Sequence, residues 1–511
     1  MTLTWLILLP LIGGLAAWAA ERAGAAISRW VTLVTLIAMG IMAAMTWPTL
    51  VGESSSMELE VPWIPGLGIH IALLMDGLSL PLVLLSIILS IVAVLVSWDS
   101  ITERVGAFHF NVLWVLSGTI GVFLAADLFL FFFFWELMVV PMAFIIAFWG
   151  GKTAARAATK FFIFTQASGL LMLLSTVGLV WIQSEQTGQL SFLLSDLKDS
   201  PASVNRWLML GFFLAFAVKL PIAPFHAWQA DAYTQAPTGG TIILAGFLSK
   251  TGGYGLIRFC MPLFPEAASA FAPWAIFLGA FTLIYGAMVA FAQKDAKRLV
   301  AFSSLSHMGF IMVGAFAWNS YGVQGAMIFM LSHGFATSAL FYLVHVMENR
   351  LGHRDLERAG GLAKLAPRFT GMAMFFVMMS LGLPASGNFV GEILVLVAAM
   401  ENHVALAGLV GVGLIFPAIY SLYFIQKALH GSAAEDLKFK ELSAREYAIL
   451  VAMGLAVLWL GIRPQAVIHA VEPIATPLVT QVTEDEVIEQ STPLQVAQDI
   501  LPPSADQKGQ S

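Results

Sequence analysis

Residues 217–258 read AVKLPIAPFHAWQADAYTQAPTGGTIILAGFLSKTGGYGLIR, and this stretch decides how the rest of the chain is arranged. Lys219 ends an apolar run and is followed by Pro221 and Pro224, whereas Lys250 lies midway along the next apolar segment. A charged side chain at the bilayer centre is unfavourable, and it marks an ion path or a polar interior. A proline break at membrane depth is tolerated where the backbone is buried in protein or lines a wet cavity. The stretch therefore predicts two membrane helices, the first of them broken, beside an ion path.

The composition places the whole chain in a membrane. Of its 511 residues, 59% are hydrophobic and 11% are charged, and the mean hydropathy is +0.84. Such values predict a polytopic α-helical membrane protein. The single cysteine, Cys260, excludes an internal disulfide and a cysteine-ligated cluster. No basic residue precedes the first apolar run, which favours a retained first span over a cleaved signal peptide.

Fourteen apolar runs are long enough to span a bilayer. They are residues 2–20, 28–46, 77–97, 108–126, 128–149, 161–182, 207–226, 239–262, 274–292, 300–318, 324–347, 369–400, 404–426 and 446–462. With these spans, eighteen lysines and arginines lie in loops on one side and four on the other. The basic side is the cytoplasmic side. We therefore expect both termini outside, with a loosely ordered acidic tail over residues 471–511.

Two proline-containing motifs suggest an internal repeat. KLPIAPF at residues 219–225 has a counterpart in GLPASGNF at residues 382–389. Spans 4–8 and 9–13 would then be five-helix units, each with a broken helix in fourth place, and an odd number of spans inverts the second unit. Paired broken helices in inverted repeats point to the ion site of transporters. The predicted division is 1–107 (spans 1–3), 108–262 (first repeat), 263–427 (second repeat), 428–470 (a loop and span 14) and 471–511 (the tail).

Three further ionisable residues in apolar surroundings have both a functional and a structural interpretation. Glu136, in FLFFFFWELMVVPMAF, is either an interfacial carboxylate or a buried acid paired with Lys219. Such a pair could hold or release a proton as its separation changes. Lys250 is either a proton carrier or a lysine whose long stem reaches the interface. Glu392, eight residues after Pro384, is a proton site or one half of a structural ion pair.

Two histidines lie within predicted spans 10 and 11. His307 (SSLSHMGF) and His333 (MLSHGFATSALF) suit a proton relay because histidine titrates near neutral pH. The alternative is a neutral, hydrogen-bonded histidine that serves only packing. Hydroxyl residues nearby are candidates to hold water, although such residues often bond back to their own helix: Ser303, Ser304, Ser306 and Thr337.

Several other chemistries find no support in the sequence. The chain contains no Gly-rich nucleotide motif following a strand, no phosphate-binding P-loop, no CxxC and no HExxH. It also lacks the basic surface stripe that nucleic-acid binding requires. These absences leave no recognised nucleotide, cluster, zinc or nucleic-acid site.

Five motifs together resemble one known family. They are FLFFFFWELMVVPM, AVKLPIAPFHAW, the QAPTGG run leading to FLSKTGGYGLIRF, AFSSLSHMGF and GNFVGE. They are similar to the antiporter-like membrane subunits of respiratory complex I (NADH:quinone oxidoreductase), over residues 5–464. Glu392, at a position where the sister subunits carry lysine, and the lack of a long C-terminal lateral helix favour the M-type among these subunits.

The resemblance implies a role for each matching residue. Glu136 and Lys219 would form the coupling pair, Lys250 would be the central proton carrier, and Glu392 would end the outward half-channel. His307 and His333 would bridge the two repeats. The motif DAYTQAP departs from the family, which has a histidine where this chain has a tyrosine at position 233. The extended acidic tail is a second departure.

The resemblance also implies the setting of the chain. It would be a proton-translocating subunit in the bacterial cytoplasmic (inner) membrane, in contact with lipid and with other membrane-arm subunits, including its antiporter-like sisters. It would hold no cofactor, and NADH, FMN, iron–sulfur clusters and quinone would belong to partner subunits. Two alternatives stay open: a subunit of a multisubunit Na⁺/H⁺ antiporter, and a redox protein whose intramembrane histidines ligate haem.

Overall fold

The computed structural model describes residues 1–52, 56–198, 200, 204–431 and 438–478. Helices account for nearly all of it, and one hairpin lies between the second and third helices. In chain order the elements are α1 (Thr2–Ala20), α2 (Ala25–Gly52), β1 (Ser56–Ile64), β2 (Ile69–Asp76), α3 (Ser79–Ser97), α4 (Val105–Leu124), α5 (Leu128–Trp149), α6 (Ala154–Thr187), α7 (Leu194–Leu197), α8 (Arg206–Lys219), α9 (Gln229–Gln235), α10 (Thr238–Ile243), a π-helical segment (Leu244–Leu248), α11 (Lys250–Gly255), a second π-helical segment (Leu256–Cys260), α12 (Met261–Leu263), α13 (Pro265–Phe291), α14 (Ala296–Phe316), α15 (Ser320–Leu351), α16 (Leu362–Leu365), α17 (Pro367–Ser380), α18 (Gly387–Asn402), α19 (Val404–Gly413), α20 (Phe416–Phe424), a third π-helical segment (Ile425–Leu429), α21 (Ala444–Ile462) and α22 (residues 465–478).

Eleven helical runs among the described residues are long and apolar enough to cross a membrane. They are α1 to α6, α13 to α15, the run Val404–Leu429 that contains α19 and α20, and α21. The predicted polytopic helical membrane fold is therefore confirmed. Three other predicted segments, 207–226, 239–262 and 369–400, coincide with helices that are interrupted along their length. The count of fourteen spans stays a prediction.

The two predicted helix breaks are present. α8 ends at Lys219, and turns separate it from α9, because Pro221 and Pro224 cannot continue the helix. α17 ends at Ser380 and α18 begins at Gly387, with Pro384 in the gap. Each break thus leaves two half-helices whose ends lie inside the protein.

The run from α10 to α12 forms the central helix of the molecule. All its residues are buried, and two π-helical segments interrupt it, one directly before Lys250 and one around Arg258. α14 and α15, which are also buried over their most apolar windows, lie in the same interior. Polar side chains on these helices therefore face protein and not lipid. Single π turns within α-helices occur often at functional sites.

Residues 56–76 form an antiparallel hairpin that the sequence analysis did not predict. β1 and β2 pair with Ser56 opposite Asp76, and the register shifts between Pro62 and Ile64 near the turn. Gly68 ends the connecting turn with a φ of +67°, a conformation that glycine adopts without steric penalty. The fold is thus helical with one added hairpin, and not entirely α.

The chain end also differs from the expectation. The expected loose tail begins at residue 471, yet residues 465–478 form α22, and Val471 and Ala475 are fully buried. α22 packs so closely on the hairpin that a Cβ on Gly77 would lie 1.7 Å from the carbonyl oxygen of Ala470. The loose-tail expectation is therefore wrong for residues 471–478. Residues 479–511, which carry the acidic cluster, lie outside the described residues.

A buried ion pair fastens the hairpin to the central helix. Arg258 Nη2 lies 2.5 Å from Asp76 Oδ2, and Arg258 Nε donates to the Tyr254 hydroxyl at 3.0 Å. Asp76 also accepts hydrogen bonds from the backbone amides of Leu78 and Ser79. Both charges are thus paired and hydrogen-bonded, as burial requires.

We expect Asp76→Asn to destabilise the protein by about 3–5 kcal/mol, since removing one partner leaves a buried, uncompensated charge on Arg258. The exposed pair Asp99–Arg445 provides the matched control. Asp99→Asn should change stability by no more than about 1 kcal/mol, because solvent screens exposed pairs. Thermal unfolding of the purified assembly, together with the amount of assembled protein, measures both effects. Equal stability of the two variants would contradict the prediction.

Candidate functional site

Lys219 occupies an aromatic pocket at the end of α8. The side chain is fully buried, and its Nζ lies 5.0 Å from the ring centroid of Trp135 and 5.7 Å from that of Phe161. Aromatic faces attract a cation, most strongly where water is excluded. The helix break therefore presents the amine to a desolvated pocket that tolerates its charge.

Glu136 lies beside this pocket on α5. It is half-buried and interacts electrostatically with Lys219, but no ion pair shorter than 4.0 Å joins the two side chains in the described structure. Glu136 Oε1 and Lys219 Nζ each lack a hydrogen-bond partner among the described residues. The sequence analysis paired these residues, and the structure makes them neighbours that do not touch. Orphaned buried polar groups of this kind call for a functional explanation.

Close backbone packing brings α8 against the central helix. A Cβ on Gly252 would lie 2.6 Å from both the Leu220 amide nitrogen and the Phe216 carbonyl oxygen. Only glycine permits this approach. The backbone that follows Lys219 thus lies directly against the helical turn that begins with Lys250.

Lys250 is fully buried at the end of the first π-helical segment. Its Nζ donates to the Ala245 carbonyl oxygen and lies 2.9 Å from His333 Nδ1 and 3.4 Å from Ser249 Oγ. The Ala245 carbonyl oxygen also accepts a hydrogen bond from Ser249 Oγ, at 3.3 Å. No carboxylate forms an ion pair with Lys250 among the described residues, and the alternative in which it reaches the interface is wrong.

Two histidines and a tyrosine continue a series of contacts that begins at Lys250. We call Lys250, His333, His307 and Tyr420 the line. His333 Nε2 lies 3.0 Å from Thr337 Oγ1, and the His333 ring makes an edge-on contact with His307 at a centroid distance of 5.4 Å. His307 Nε2 lies 3.1 Å from the Tyr420 hydroxyl. The direct contact between the two imidazoles leaves no room for a porphyrin between them, so this geometry does not favour the haem alternative.

Glu392 lies at the second helix break. The side chain is buried, and a Cβ on Gly382 would lie 2.1 Å from its Oε2. Gly382 has a φ of +72°, which also favours glycine. Glu392 interacts electrostatically with Tyr420 and has no ion-pair partner among the described residues. The alternative in which Glu392 belongs to a structural ion pair is therefore not supported.

Ion pairs near the predicted cytoplasmic ends connect the first half of the chain to the second. Asp231, on α9, lies 2.7 Å from Lys160 on α6 and 3.2 Å from Arg298 on α14. Burial of Asp231 raises the pKa of its carboxyl, but the two cations outweigh this and hold the pKa below its usual value. Helix α9 is therefore tied to both halves of the chain. Tyr233, the departure noted in the sequence, donates from its hydroxyl to the Leu244 carbonyl oxygen at 3.3 Å.

The structure thus places all six sequence-predicted site residues in the interior or beside it. Lys250, His333 and His307 form one continuous group, and Glu136 with Lys219 forms a second group at the neighbouring break. Sequence reasoning missed Tyr420, and no signal marks it, since an isolated tyrosine in an apolar span is ordinary. It also missed Asn388, whose side-chain amide is fully buried without a hydrogen-bond partner in the described structure.

Chemically, the arrangement is suited to moving protons between titratable groups. Lysine, imidazole, phenol and carboxylate each bind and release a proton. Lys250, His333, His307 and Tyr420 follow one another at hydrogen-bonding or ring-contact distances. Where charged groups are enclosed by apolar helices, a proton shifts along such a line more readily than an ion leaves it.

Comparisons with known proteins identify the family of the chain. Residues 125–416 match the family described as "NADH:quinone oxidoreductase/Mrp antiporter, TM". The "NADH-quinone oxidoreductase subunit M" of Pseudomonas aeruginosa is 46% identical over 92% of this chain and 95% of that relative. A chain of respiratory complex I from Thermus thermophilus, solved with bound NADH, superposes with a TM-score of 0.85 at 29% identity, over 94% of this chain and 99% of that one.

The fold is shared more widely. A chain of the Mrp complex from Dietzia superposes with a TM-score of 0.82 at 20% identity, over 94% of this chain and 98% of that one, which shows likeness of fold alone. The relatives named subunit M are far closer in sequence and are matched over nearly their whole length. The chain therefore belongs to the NADH:quinone oxidoreductase/Mrp antiporter transmembrane family and, within it, to the M-type antiporter-like subunits of complex I.

Proposed function

We propose that this chain translocates protons as the M-type subunit of a bacterial NADH:quinone oxidoreductase. The observation that carries the proposal is the buried line from Lys250 through His333 and His307, which starts at a π turn between two broken helices. A proton path through a bilayer requires a series of buried titratable groups that are adjacent in space. Because the chain belongs to the M-type subunits, we infer that the redox reaction takes place in its partner subunits.

Each residue has a distinct part in this proposal. Glu136 and Lys219 form the coupling pair, which accepts a proton when their separation changes. Lys250 receives the proton centrally, since the helix turn that it begins packs on the end of α8. His333 and His307 pass it to the second half of the chain. Glu392, at the second break, releases it towards the outside.

The driving energy comes from neighbouring subunits. Glu136 is half-buried and lies on α5 near Phe133 and Val140, which are exposed on this chain. A partner that covers this face is placed to change the electrostatic environment of Glu136. We propose that the partners are other membrane-arm subunits, including antiporter-like sisters. NADH, FMN, iron–sulfur clusters and quinone belong to partners, and this chain carries no redox centre.

The proposed organisation follows from the same assignment. Residues 108–262 and 263–427 are the two inverted five-helix repeats, preceded by three spans in 1–107 and followed by span 14 in 428–470. Fourteen spans and the charge asymmetry of the loops place both termini on the periplasmic side of the cytoplasmic membrane. The matching breaks after Lys219 and Ser380 support this division.

A second candidate function is that of a subunit in a multisubunit Na⁺/H⁺ antiporter. The family description and the fold of the Dietzia Mrp chain favour keeping it. The same Glu136, Lys219 and Lys250 would then exchange protons for sodium without NADH.

Ion movement in proteoliposomes containing the complete assembly tests the proposal. We expect NADH oxidation to drive proton uptake at an unchanged ratio whether or not sodium is present. A pH-sensitive dye and radioactive sodium follow the two ions in parallel. Sodium movement that exchanges for protons without NADH would favour the antiporter, and an assembly containing this chain that moves neither ion would contradict both functions.

A further inference from the structure

Tyr420 is fixed at the far side of the histidine pair. Its hydroxyl lies 3.1 Å from His307 Nε2, and the side chain is buried on α20. α20 begins after a short turn that interrupts the run of residues 404–429, and Pro417 occupies its first turn. The tyrosine therefore enters the interior from a third interrupted helix, independent of those that carry Lys250 and Glu392.

A second observation connects Tyr420 to the helix break beside Glu392. A small cavity of about 20 Å³ is lined by Tyr420, Ser303, Ser380 and Ser421, together with apolar side chains. A cavity of this volume has room for one water molecule, and the tyrosine and serine hydroxyls are the polar groups in its mostly apolar lining. Ser380 lies two residues before Gly382, which packs against the Glu392 carboxylate. The cavity thus joins the tyrosine to the end of α17.

The charges point the same way. Tyr420 interacts electrostatically with Glu392, whose carboxylate forms no hydrogen bond among the described residues. A phenol hydroxyl both donates and accepts, so it can bond His307 on one side and a carboxylate or a water on the other. Phenylalanine keeps the ring and loses both functions.

We propose that Tyr420 passes protons between His307 and Glu392, which makes it the link between the histidine pair and the second helix break. The phenol gives its proton towards the Glu392 carboxylate, with which it interacts electrostatically. It takes a proton from protonated His307 in exchange. The step ends with neutral His307, protonated Glu392 and an unchanged phenol, so atoms and charge balance. This inference rests on the proposed function.

A competing route runs through Asn388. The side-chain amide of Asn388 is buried without a hydrogen-bond partner among the described residues. Its neighbour Gly387 packs against Ser332, the residue before His333: a Cβ on Gly387 would lie 2.9 Å from Ser332 Oγ. An amide holds its protons firmly and does not exchange them as a phenol does. The hydroxyl of Tyr420, already bonded to His307, is therefore the better relay.

The test is Tyr420→Phe in the complete assembly, with proton uptake per NADH oxidised measured in vesicles. We expect proton translocation to fall about tenfold or more, to the level of Lys250→Ala, because a positioned acid–base group contributes roughly 10²–10⁴-fold to a proton transfer. Tyr342→Phe is the matched control, since that side chain is as buried as Tyr420 and its hydroxyl forms no hydrogen bond with Lys250, His307 or Glu392 in the described structure. It should keep the wild-type ratio.

A second variant separates proton relay from packing. Replacement of Tyr420 by 3,5-difluorotyrosine keeps the shape of the ring and makes the hydroxyl more acidic. We expect the pH dependence of proton uptake to move to lower pH, a change that a purely structural role would not produce. If Tyr420→Phe fails to assemble, this pH profile decides the question, and an unchanged profile overturns the proposal.

The outcomes separate the relay from the function it serves. Wild-type proton uptake in assembled Tyr420→Phe, with uptake lost in Lys250→Ala, overturns the tyrosine relay and leaves the proposed function intact. Wild-type uptake in both variants overturns the proposed function itself. Loss in Asn388→Leu with wild-type uptake in Tyr420→Phe assigns the step to the competing route.

Discussion

Lys250→Ala is expected to lower proton translocation by about tenfold or more while the assembly still forms. Lys250 donates to the Ala245 carbonyl and to His333 Nδ1, and no other cation forms a hydrogen bond with His333 among the described residues. Without the amine, the histidine pair loses its proton source, and a positioned acid–base group contributes roughly 10²–10⁴-fold to such a transfer. The measurement is proton uptake per NADH oxidised in inverted membrane vesicles, with assembly checked on native gels.

Lys250→Arg distinguishes a proton carrier from a fixed charge. Arginine keeps a positive charge and hydrogen-bond donors, but it does not release its proton at any pH that proteins meet. A carrier role therefore predicts that Lys250→Arg fails as Lys250→Ala does, whereas a purely electrostatic role predicts that it works. Wild-type uptake with alanine at this position would mean that the buried line is not the path.

The positions of the membrane helices were predictable because the bilayer leaves few alternatives. A run of apolar residues in lipid must be helical, since every backbone polar group has to be satisfied within the segment. Proline adds a second constraint, because it removes an amide donor and clashes with the preceding turn. Pro221 and Pro384 therefore predicted both breaks, which the structure contains.

The hairpin at residues 56–76 and helix α22 were not predictable in the same way. Both contribute through contacts with distant parts of the chain, such as the pair between Asp76 and Arg258 and the packing of Ala470 on Gly77. No local pattern encodes a partner that lies 182 residues away. The π turns are equally hidden, because a single extra residue in a helical turn leaves the apolar pattern unchanged.

The residues of the candidate site could be identified from the sequence, but the contacts between them could not. Charged residues in apolar spans are conspicuous, so Glu136, Lys219, Lys250 and Glu392 could be picked out from sequence. Which of them touch is decided by packing. The sequence suggested that Glu136 pairs with Lys219, and in the structure no ion pair joins the two side chains, although they interact electrostatically. Nothing in the sequence indicated Tyr420, because its role depends on a hydrogen bond to His307, which lies 113 residues away in the chain.

The second large effect on proton translocation is expected from substitutions of Glu136 and Lys219. Lys219 is fully buried, its Nζ has no hydrogen-bond partner among the described residues, and its charge is balanced by Glu136 and by the rings of Trp135 and Phe161. Among the described residues, Glu136 is the only carboxylate that interacts with Lys219, and Glu136→Gln removes it. A buried cation without a counter-ion is destabilised by about 3–5 kcal/mol, so the neutral amine becomes the favoured form. A lysine that stays neutral no longer traps a proton.

We therefore expect Glu136→Gln and Lys219→Ala each to lower proton translocation by about tenfold or more, by disabling one device from opposite sides. The double variant should be scarcely worse than either single variant, because two residues that act as a unit are not additive. Glu136→Asp should be milder, since the charge survives and only the reach shortens. Glu266→Gln, an exposed acid in the first turn of α13, is the control and should keep the wild-type ratio.

The double-mutant comparison decides whether the two residues form a switch. Two independent carriers would give losses that multiply, so the double variant would fall well below both singles. A shared device gives the same loss in all three, measured as proton uptake per NADH oxidised in vesicles with matched amounts of assembly. Since the two side chains do not touch at rest, the pair must close for the lysine to hold its proton firmly. If Glu136→Gln assembles normally and pumps at the wild-type ratio, the carboxylate is a bystander, and the aromatic pocket alone sustains the charge on Lys219.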